Sequence, residues 1–401
     1  VLNIYYGTEY TDKSRFIFEN ISGRTLLLVP DQFSLQAERD AFYYLDAESL
    51  MDIRIVDFST LGHKVVAQVG GRQLPLIDKY GRHMLLTKIM NEVGEELEIY
   101  RHMGWKNSFI DLMNTMISEM KRFGATPEDI GAAAEKIDGD GFLRYKLSDI
   151  QKIFTRYEEA IEGKYLDSED YITFYGDKIL DAPMIAEADI WIYGFDTFTP
   201  KNMQVIERLL MAARSVNVVL TYDSGEYFSL TRYIMDSFME MAAQRGIESH
   251  VKAIDGTPRV TAAGTAMQMA SDPGSRADGE FPLTMAELSN PYEEAERAAA
   301  YILSLVRDHG YRYGDIVVVC NDLDVRGAML RRTLTRWGIP VFTDKKRKVT
   351  HHSAVSFLLS LMELVAGGYS NEAVMRLVKS GVMDHSRDDI ELLENYVTQY
   401  R

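Results

Sequence analysis

The sequence of 401 residues contains a single cysteine, Cys320, and lacks any apolar run of about 20 residues. One cysteine excludes an internal disulfide and a cysteine-cluster metal site, and it favours a reducing, cytoplasmic location. We find no signal peptide, and we expect a soluble chain that does not span a membrane. The eight histidines form no His-x-x-x-His pair, so we expect no metal site.

Positive charge is also scarce. The chain has 44 Lys and Arg against 60 Asp and Glu, a net charge of −16. A uniformly acidic surface repels phosphate, so any contact with nucleic acid would need a local basic groove. The one dense basic run is DKKRKVTHH, residues 344 to 352. Lys345 and Arg347 are its candidate phosphate contacts, while an ordinary solvated loop remains the alternative.

The first part of the chain alternates strands and helices. LNIYYG, RTLLLVP and DIRIVDFSTL are predicted strands, separated by the predicted helices DKSRFIFENI and DQFSLQAERDAFYYL. The uninterrupted apolar run in RTLLLVP is typical of a strand buried on both faces. This βαβαβ order predicts a doubly wound α/β fold.

The later pattern indicates further domains. Residues 79–183 predict helices without a convincing strand, and the sheet resumes with ADIWIYGFDTFTP and VNVVLTYD. Gly, Ala, Ser and Pro then mark a linker. PLTMAELS, DIVVVC and IPVFTD are predicted strands of a second α/β unit, whose first helix follows Asn290 as N-cap. The expected domains are a first lobe of residues 1–78 and 184–250, a helical insertion 79–183, a linker 251–283 and a second lobe 284–401.

Residues 5 to 16, YYGTEYTDKSRF, almost match the phosphate loop G-x-x-x-x-G-K-[ST]. Gly7, Lys13 and Ser14 stand in the expected places, and the segment follows a strand and opens a helix. In that context, backbone N–H groups cradle phosphate. Asp12 replaces the glycine before the lysine and would bring negative charge next to a triphosphate. The sequence therefore leaves binding of ATP and Mg²⁺ open.

An active ATPase also needs an acid at the end of a second strand, to hold magnesium and position water. The candidate strand ends in Tyr-Gly-Phe-Asp at Asp196, without an Asp-Glu pair. Asp189 lies at the other end of that strand, and Asp223 ends the next one. The sequence therefore favours a phosphate loop whose hydrolytic chemistry is lost over an active ATPase or helicase.

Several stretches, in order along most of the chain, resemble the AddB/RexB family, the B subunit of the bacterial AddAB helicase–nuclease. They are IYYGTEYTDKSRFIFENI, LLLVPDQFSLQAERDAFYYL, VDFSTLGHKVVAQVGG, IYGFDTFTPKNMQVIERLL and the segment from NPYEEAERAAAYIL to LLSLMELV. The resemblance implies a superfamily 1 helicase-like architecture, with RecA-like lobes and an all-helical insertion in the first. It also implies an inactivated helicase-like subunit in the repair of double-strand DNA breaks. Such a subunit guides single-stranded DNA, scans for the Chi signal and docks an AddA-like motor subunit.

The resemblance carries over to individual residues unevenly. Gly7, Lys13 and Ser14 match the nucleotide loop. The other matched positions are implied contacts with DNA: Gln32, Ser34 and Gln36 after Pro30, and Phe58 and Ser59 in the next segment. Gln32, Ser34 and Gln36 could equally be ordinary surface residues, and Phe58 could belong to the core.

Other positions depart from the family. Thr60 and His63 are not the arginine and tryptophan that we associate with reading Chi, and Asn321 stands where active motors carry an arginine. The family's nuclease domain, with its cysteine-bound iron–sulfur cluster, has no counterpart here. The last helix stops without a cap, so we expect part of a longer protein. The remaining alternative is an α/β interaction scaffold that does not bind DNA.

Overall fold

The computed structural model describes residues 1–8, 11–70, 74–104, 106–137, 141–223, 228–254, 284–343 and 349–400. The chain divides into two compact units, Val1–Leu283 and Thr284–Arg401. Lys345 and Arg347 lie outside the described residues. Within the described ranges, no helix combines the length and the apolar character that crossing a membrane requires.

A six-stranded sheet organises the first unit. Its strands are β1 (Leu2–Gly7), β2 (Thr25–Leu28), β3 (Ile53–Val56), β4 (Asp189–Tyr193), β5 (Ser215–Thr221) and β6 (Ser249–Ala253). Their spatial order is β3-β2-β4-β5-β1-β6, and every neighbouring pair is parallel. The predicted α/β fold with a parallel sheet is therefore confirmed for this unit.

Helices cover both faces of the sheet and continue beyond it. The helices of the first unit are α1 (Lys13–Asn20), α2 (Ser34–Tyr44), α3 (Ala47–Asp52), α4 (Phe58–Val69), α5 (Lys79–Val93), α6 (Asn107–Arg122), α7 (Pro127–Glu135), α8 (Phe142–Ile161), α9 (Ser168–Gly176), α10 (Pro183–Ala186), α11 (Pro200–Ala212) and α12 (Ser229–Gln244). A 3₁₀ turn, Asp31–Phe33, precedes α2.

Alternate residues of the strands face opposite sides of the sheet, and each side has its own core. On one side, α1 and α2 pack against residues such as Leu27 and Trp191. On the other, α4, α9, α11 and α12 pack against Leu28, Ile190 and Val218. Burial on both faces explains why the strands have continuous apolar runs instead of alternating ones.

Helices α5, α6 and α8 form a separate apolar core. Phe109, Met113 and Ile117 lie on one face of α6 and are buried in this core. The described part of residues 79–184 is helical or irregular, and Leu166 forms an isolated parallel bridge with Leu76, just before this range.

The edge strand β6 was not predicted, because the sequence analysis placed residues 251–253 in a linker. Ser249, Val251 and Ala253 are exposed, and the strand lacks the apolar run of its neighbours. It forms because it pairs in parallel with β1, where Leu2 lies opposite Ser249. Residues 255–283 of the predicted linker lie outside the described part of the chain.

The second unit differs from the prediction. Its described residues form the helices α13 (Pro291–Asp308), α14 (Leu323–Arg336), α15 (Ser353–Ala366), α16 (Asn371–Val378) and α17 (Arg387–Gln399). The predicted N-cap is confirmed, since Asn290 accepts from the backbone of Tyr292 and Glu293 at 3.0 Å.

The three strands predicted for the second unit were wrong for its described residues, which contain no paired strand. Residues 316–320 lie outside any helix, with Val317 and Val319 81% and 85% exposed. An apolar run predicts an extended backbone, but a strand also needs a partner for its N–H and C=O groups. The described residues of this unit supply none.

Candidate functional site

The described candidate residues follow the carboxyl ends of three strands. Gly7 ends β1, Gln32 follows β2, and Phe58 follows β3. Because all strands are parallel, these ends share one edge of the sheet, the edge where α/β sheets place their ligands. β4 and β5 separate β1 from β2, so strand spacings of about 4.8 Å put the phosphate-loop candidate roughly 14 Å from the residues after β2 and roughly 19 Å from those after β3.

Thr8 and Thr11, in the segment after β1, lie close together. The backbone N–H of Thr11 donates to the carbonyl oxygen of Thr8 at 3.1 Å. A Cβ atom on Gly7 would lie 2.7 Å from Cβ of Thr11, closer than real side chains approach. Glycine is therefore required at position 7, because Thr11 lies against the carboxyl end of β1.

Lys13 is the first residue of α1, directly after this segment. Its side chain is 6% exposed, and Nζ donates to the carbonyl oxygen of Thr8 at 2.7 Å. Ser14 follows it in the first turn of α1 and is partly exposed. The ammonium group that would contact a phosphate thus already binds the loop backbone.

Asp12 caps α1. Its Oδ1 accepts a hydrogen bond from the backbone N–H of Arg15 at 3.0 Å, and the hydroxyl of Tyr44 lies 3.4 Å from Oδ2. Burial and the neighbouring Asp12 carboxylate raise the pKa of the Tyr44 hydroxyl. The first turn of α1, where a phosphate loop presents N–H groups to its ligand, therefore already holds a negative charge.

This geometry does not fit a magnesium triphosphate. The fit would require the N–H groups of the first turn and a lysine that reaches outward, but Asp12 binds one of these N–H groups and Lys13 binds Thr8. A carboxylate at this position also repels phosphate.

The acids near the candidate second strand do not form a hydrolytic pair. Asp189, at the amino end of β4, accepts from Arg214 Nε at 2.9 Å and from Ser215 Oγ at 2.7 Å. Burial raises the pKa of Asp189, but Arg214 and Ser215 outweigh it and hold the pKa below its ordinary value. Asp196 is exposed at the carboxyl end. Asp189 therefore stabilises the fold at the opposite edge from the candidate site.

The candidates after β2 differ in their exposure. Gln32 is exposed in the 3₁₀ turn, Ser34 Oγ donates to the carbonyl oxygen of Pro30 at 3.5 Å, and Gln36 Nε2 donates to Asp40 at 2.6 Å. Gln32 and Gln36 are thus both exposed, and Ser34 and Gln36 take part in local contacts of α2.

Phe58 and Ser59 open α4 after β3. The ring of Phe58 is half-buried against the core that includes Leu28, and it lies edge-on to Phe195, with 5.5 Å between ring centroids. Ser59 is exposed. Phe58 thus belongs partly to the core, as the alternative interpretation held. Phe195, which follows β4, contacts Phe58 at the edge of the sheet.

Further aromatic residues, which were not predicted from the sequence, lie along this edge. Phe195 packs against Phe198 at 5.2 Å, and Tyr193 lies edge-on to Phe33 at 5.4 Å. Gly194 has φ +83°, and a Cβ there would lie 3.2 Å from Cδ of Pro30, so the residues that follow β2 and β4 are in close contact. The sequence signal that could have indicated these residues is an aromatic residue close to each strand end, in YYG, PDQF, VDF, YGF and TYD.

A second aromatic group lies at the ends of β1 and β5. Tyr6 and Tyr222 pack edge to face at 5.6 Å, and Arg232 of α12 donates to the hydroxyl of Tyr222 at 2.6 Å. This group flanks the phosphate-loop candidate from the other side of the sheet. It supplies ring faces and one guanidinium close to the loop.

Comparison with known proteins gives the family. A family model described as "ADDB, N-terminal" matches residues 4–267. The B subunit of an ATP-dependent helicase/deoxyribonuclease of Alkaliphilus metalliredigens is 32% identical over 395 residues, which are 95% of this chain and 34% of that protein. Proteins of the same name from Alkaliphilus oremlandii and Clostridium tetani are 31% and 30% identical over 98% and 99% of this chain.

The chain spans about a third of the length of these relatives, 34% to 37% of each. The family match covers β1 from Ile4 onward and all of β2 to β6, and so includes the phosphate-loop candidate and the aromatic strand ends. The predicted resemblance is thereby confirmed, and the chain belongs to the AddB family, of which it carries the N-terminal domain.

Proposed function

We propose that this chain is the helicase-like part of a DNA-processing subunit, which guides single-stranded DNA and does not hydrolyse ATP. The observation that carries the proposal is the Asp12 carboxylate, which caps the helix that would otherwise present N–H groups to phosphate. In this proposal an AddA-like motor subunit hydrolyses ATP and moves the broken duplex. Residues 1–78 and 184–250 act as the first lobe, and residues 79–183 as its helical insertion.

The proposed path of the strand is the carboxyl edge at β3, β2 and β4. Gln32 and Ser59 are exposed there, and Phe58, Phe195 and Phe198 form a row of partly buried rings. Aromatic faces support bases of any sequence, with stacking worth about 1–3 kcal/mol per base. Lys345 and Arg347 would add phosphate contacts in an otherwise acidic chain.

Reading of Chi by the residues after Ser59 is not supported. The backbone N–H of Thr60 donates to Asp57 at 2.6 Å as part of the cap of α4. His63 Nδ1 lies 3.1 Å from the hydroxyl of Tyr171 on α9. Both residues therefore take part in the fold, and we propose guidance of the strand without base recognition at these two positions.

The test is a parallel measurement of DNA binding and ATP turnover. A labelled single-stranded oligonucleotide should bind the purified chain with an affinity that falls as salt rises. ATP turnover should stay at background with and without the oligonucleotide. Hydrolysis that DNA stimulates and that Lys13→Ala abolishes would overturn the proposal in favour of an active motor. Absence of binding at low salt would favour an interaction scaffold without DNA.

The proposed setting is a cytoplasmic complex with the motor subunit. The relatives are named as subunits of an enzyme, which supports a partner chain. Co-purification of the chain with a tagged motor subunit tests this part, and its failure would leave the binding and turnover results intact.

A further inference from the structure

The helical region, α5 to α8, connects to the sheet through two adjacent segments. The chain enters it through residues 74–78 and leaves it through residues 162–167. These segments lie side by side, because Ile77 N donates to Leu166 O at 2.8 Å and Leu166 N donates to Pro75 O at 3.0 Å. Two connections at one place restrain translation but allow rotation about the line that joins them.

Apolar packing holds each body together internally. The core of the helical region contains residues such as Ile110, Phe154 and Ile161. Tyr171 and Tyr175 of α9 belong instead to the core of the sheet. In the described parts of the chain these two clusters share no buried residue, so the contact between the bodies depends on other interactions.

That contact is ionic and buried. Lys121, near the end of α6, is 6% exposed, and its Nζ lies 2.7 Å from Asp167 Oδ2, 2.7 Å from Asp170 Oδ2 and 2.9 Å from Glu158 Oε1. Asp167 also caps α9, where it accepts from the backbone of Glu169 and Asp170 at 3.0 and 2.9 Å. We call these residues, with Lys201, the junction cluster.

The junction cluster has further contacts both with the helical region and with the helices that cover the sheet. On the helical side, the hydroxyl of Tyr157 donates to Asp167 at 3.2 Å, and Arg122 lies 3.3 Å from Glu169. On the sheet side, Lys201 of α11 donates to the carbonyl oxygen of Glu169 at 2.8 Å. Lys201 directly follows the segment that carries Phe195 and Phe198, so the cluster links the helical region to the carboxyl edge of the sheet.

Two carboxylate oxygens of the junction cluster lack a hydrogen-bond partner in the described residues. Oε1 of Glu158 is close to Lys121 but outside hydrogen-bond geometry, and Oε2 of Glu169 is buried without a hydrogen-bond partner in the described residues. Burial raises the pKa of Glu158. Unsatisfied buried acceptors carry a desolvation penalty, and separation of α6 from α9 would relieve it. Buried ion pairs have a few discrete geometries instead of a continuous range of geometries.

We propose that the helical region is a hinged body, which rotates about the paired segments 75–77 and 165–166 and is held closed by the junction cluster. Opening separates Lys121 from Asp167 and Asp170. Because Lys201 also lies 3.8 Å from Asp170 and donates to the carbonyl oxygen of Glu169, opening also changes the support of the segment with Phe195 and Phe198. The hinge is a property of the fold and does not depend on the proposed binding of DNA.

Hydrogen–deuterium exchange of the chain without DNA tests the hinge. In Lys121→Met, backbone amides at the end of α6 and in the first turn of α9 should exchange at least about tenfold faster, while those of β2 and β4 keep their rates. Arg156→Met is the matched control, because Arg156 pairs with Glu159 at an exposed site on α8. Unchanged exchange in Lys121→Met, or faster exchange spread equally over the sheet, would overturn the proposal.

A second variant covers the case in which Lys121→Met does not fold. Lys121→Gln with Asp167→Asn removes both charges and keeps a capping side chain for α9. Two fluorophores on cysteines introduced at the exposed positions Glu128 and Glu38, with Cys320→Ser, report the distance between α7 and α2. The double variant should broaden the distance distribution. An equally narrow distribution in both proteins would contradict a hinge.

Discussion

Oδ1 of Asp12 accepts a hydrogen bond from the backbone N–H of Arg15 at 3.0 Å, so the phosphate-loop candidate carries its own anion. A helix N-terminus stabilises a negative charge whether it comes from a ligand or from a side chain. Here the side chain is covalently present at all times, while a ligand must bind from solution. The segment therefore keeps the strand, the glycine and the helix of the phosphate-loop pattern, together with a built-in competitor for any anionic ligand.

Replacement of Asp12 by glycine should therefore create nucleotide affinity. Asp12→Gly removes the charge and restores the residue that the pattern requires, and it costs the cap only a few tenths of a kcal/mol. We expect Mg-ATP to bind Asp12→Gly at least about tenfold more tightly than the native chain, by isothermal titration calorimetry.

The double variant Asp12→Gly, Lys13→Ala is the control for this gain. It should lose the new affinity, because the ammonium of Lys13 is the charge in the loop that suits phosphate. If the native chain already binds Mg-ATP as tightly as Asp12→Gly does, the carboxylate is no competitor and the loop is a working site.

Gly62 of α4 should not tolerate a methyl group. A Cβ there would lie 2.4 Å from Cδ1 of Tyr175, which is fully buried in α9. Overpacking of this kind costs about 1–3 kcal/mol, so we expect Gly62→Ala to lower the thermal unfolding midpoint by several degrees. Gly131→Ala in α7 is the matched control. Its Cβ would meet only the mobile end of Gln151, and alanine favours the helix, so an equal loss there would refute the packing argument.

Asp189 should contribute a pH-dependent part of the stability. Its pKa in the folded chain lies below the ordinary value of 3.8, so the contribution is present above that value and is lost as pH falls through the lower folded value. We expect Asp189→Asn to cost about 1 kcal/mol near neutral pH, after allowance for the exposed Arg214. Guanidinium unfolding at several pH values measures this cost. It should shrink below pH 3.8, and a cost independent of pH would show that the charge is irrelevant.

The strands of the sheet were predictable from the sequence where a continuous apolar run is buried. They were poorly predictable where pairing with another strand decides whether a strand forms. Leu26 to Leu28 indicate a strand buried on both faces, and β2 is that strand. Ser249–Ala253 has a polar, exposed composition, and only its pairing with β1 makes it a strand. Val317 to Val319 show the reverse case, an apolar run that pairs with no described strand. Local composition indicates a preference for extended backbone. The partner strand that completes the hydrogen bonding lies elsewhere in the chain.

The candidate site was predictable in its residue types and not in their orientation. Asp12 was visible as a departure from the phosphate-loop pattern. The contact of its carboxylate with the first turn of α1 was not visible, because that contact depends on the loop geometry. The contact of Gly62 with Tyr175 joins residues more than a hundred positions apart, and neither residue signals it locally. Aromatic residues at the strand ends were visible, yet only the strand order places Phe195 next to Phe58.

The basic run offers a test of DNA contact that depends on charge alone. Replacement of Lys345 and Arg347 by alanine should weaken binding to single strands of any sequence. It should also reduce the slope of log affinity against log salt by about 1.4, the value for two lost phosphate contacts on a single strand. Fluorescence anisotropy at four or more salt concentrations gives both quantities. Lys88→Ala with Arg387→Ala is the matched control, since both side chains are exposed on helices and pair with glutamates. The control removes the same net charge, so an equal change of slope in both double variants would mean that overall charge, and not a local contact of the basic run, governs binding.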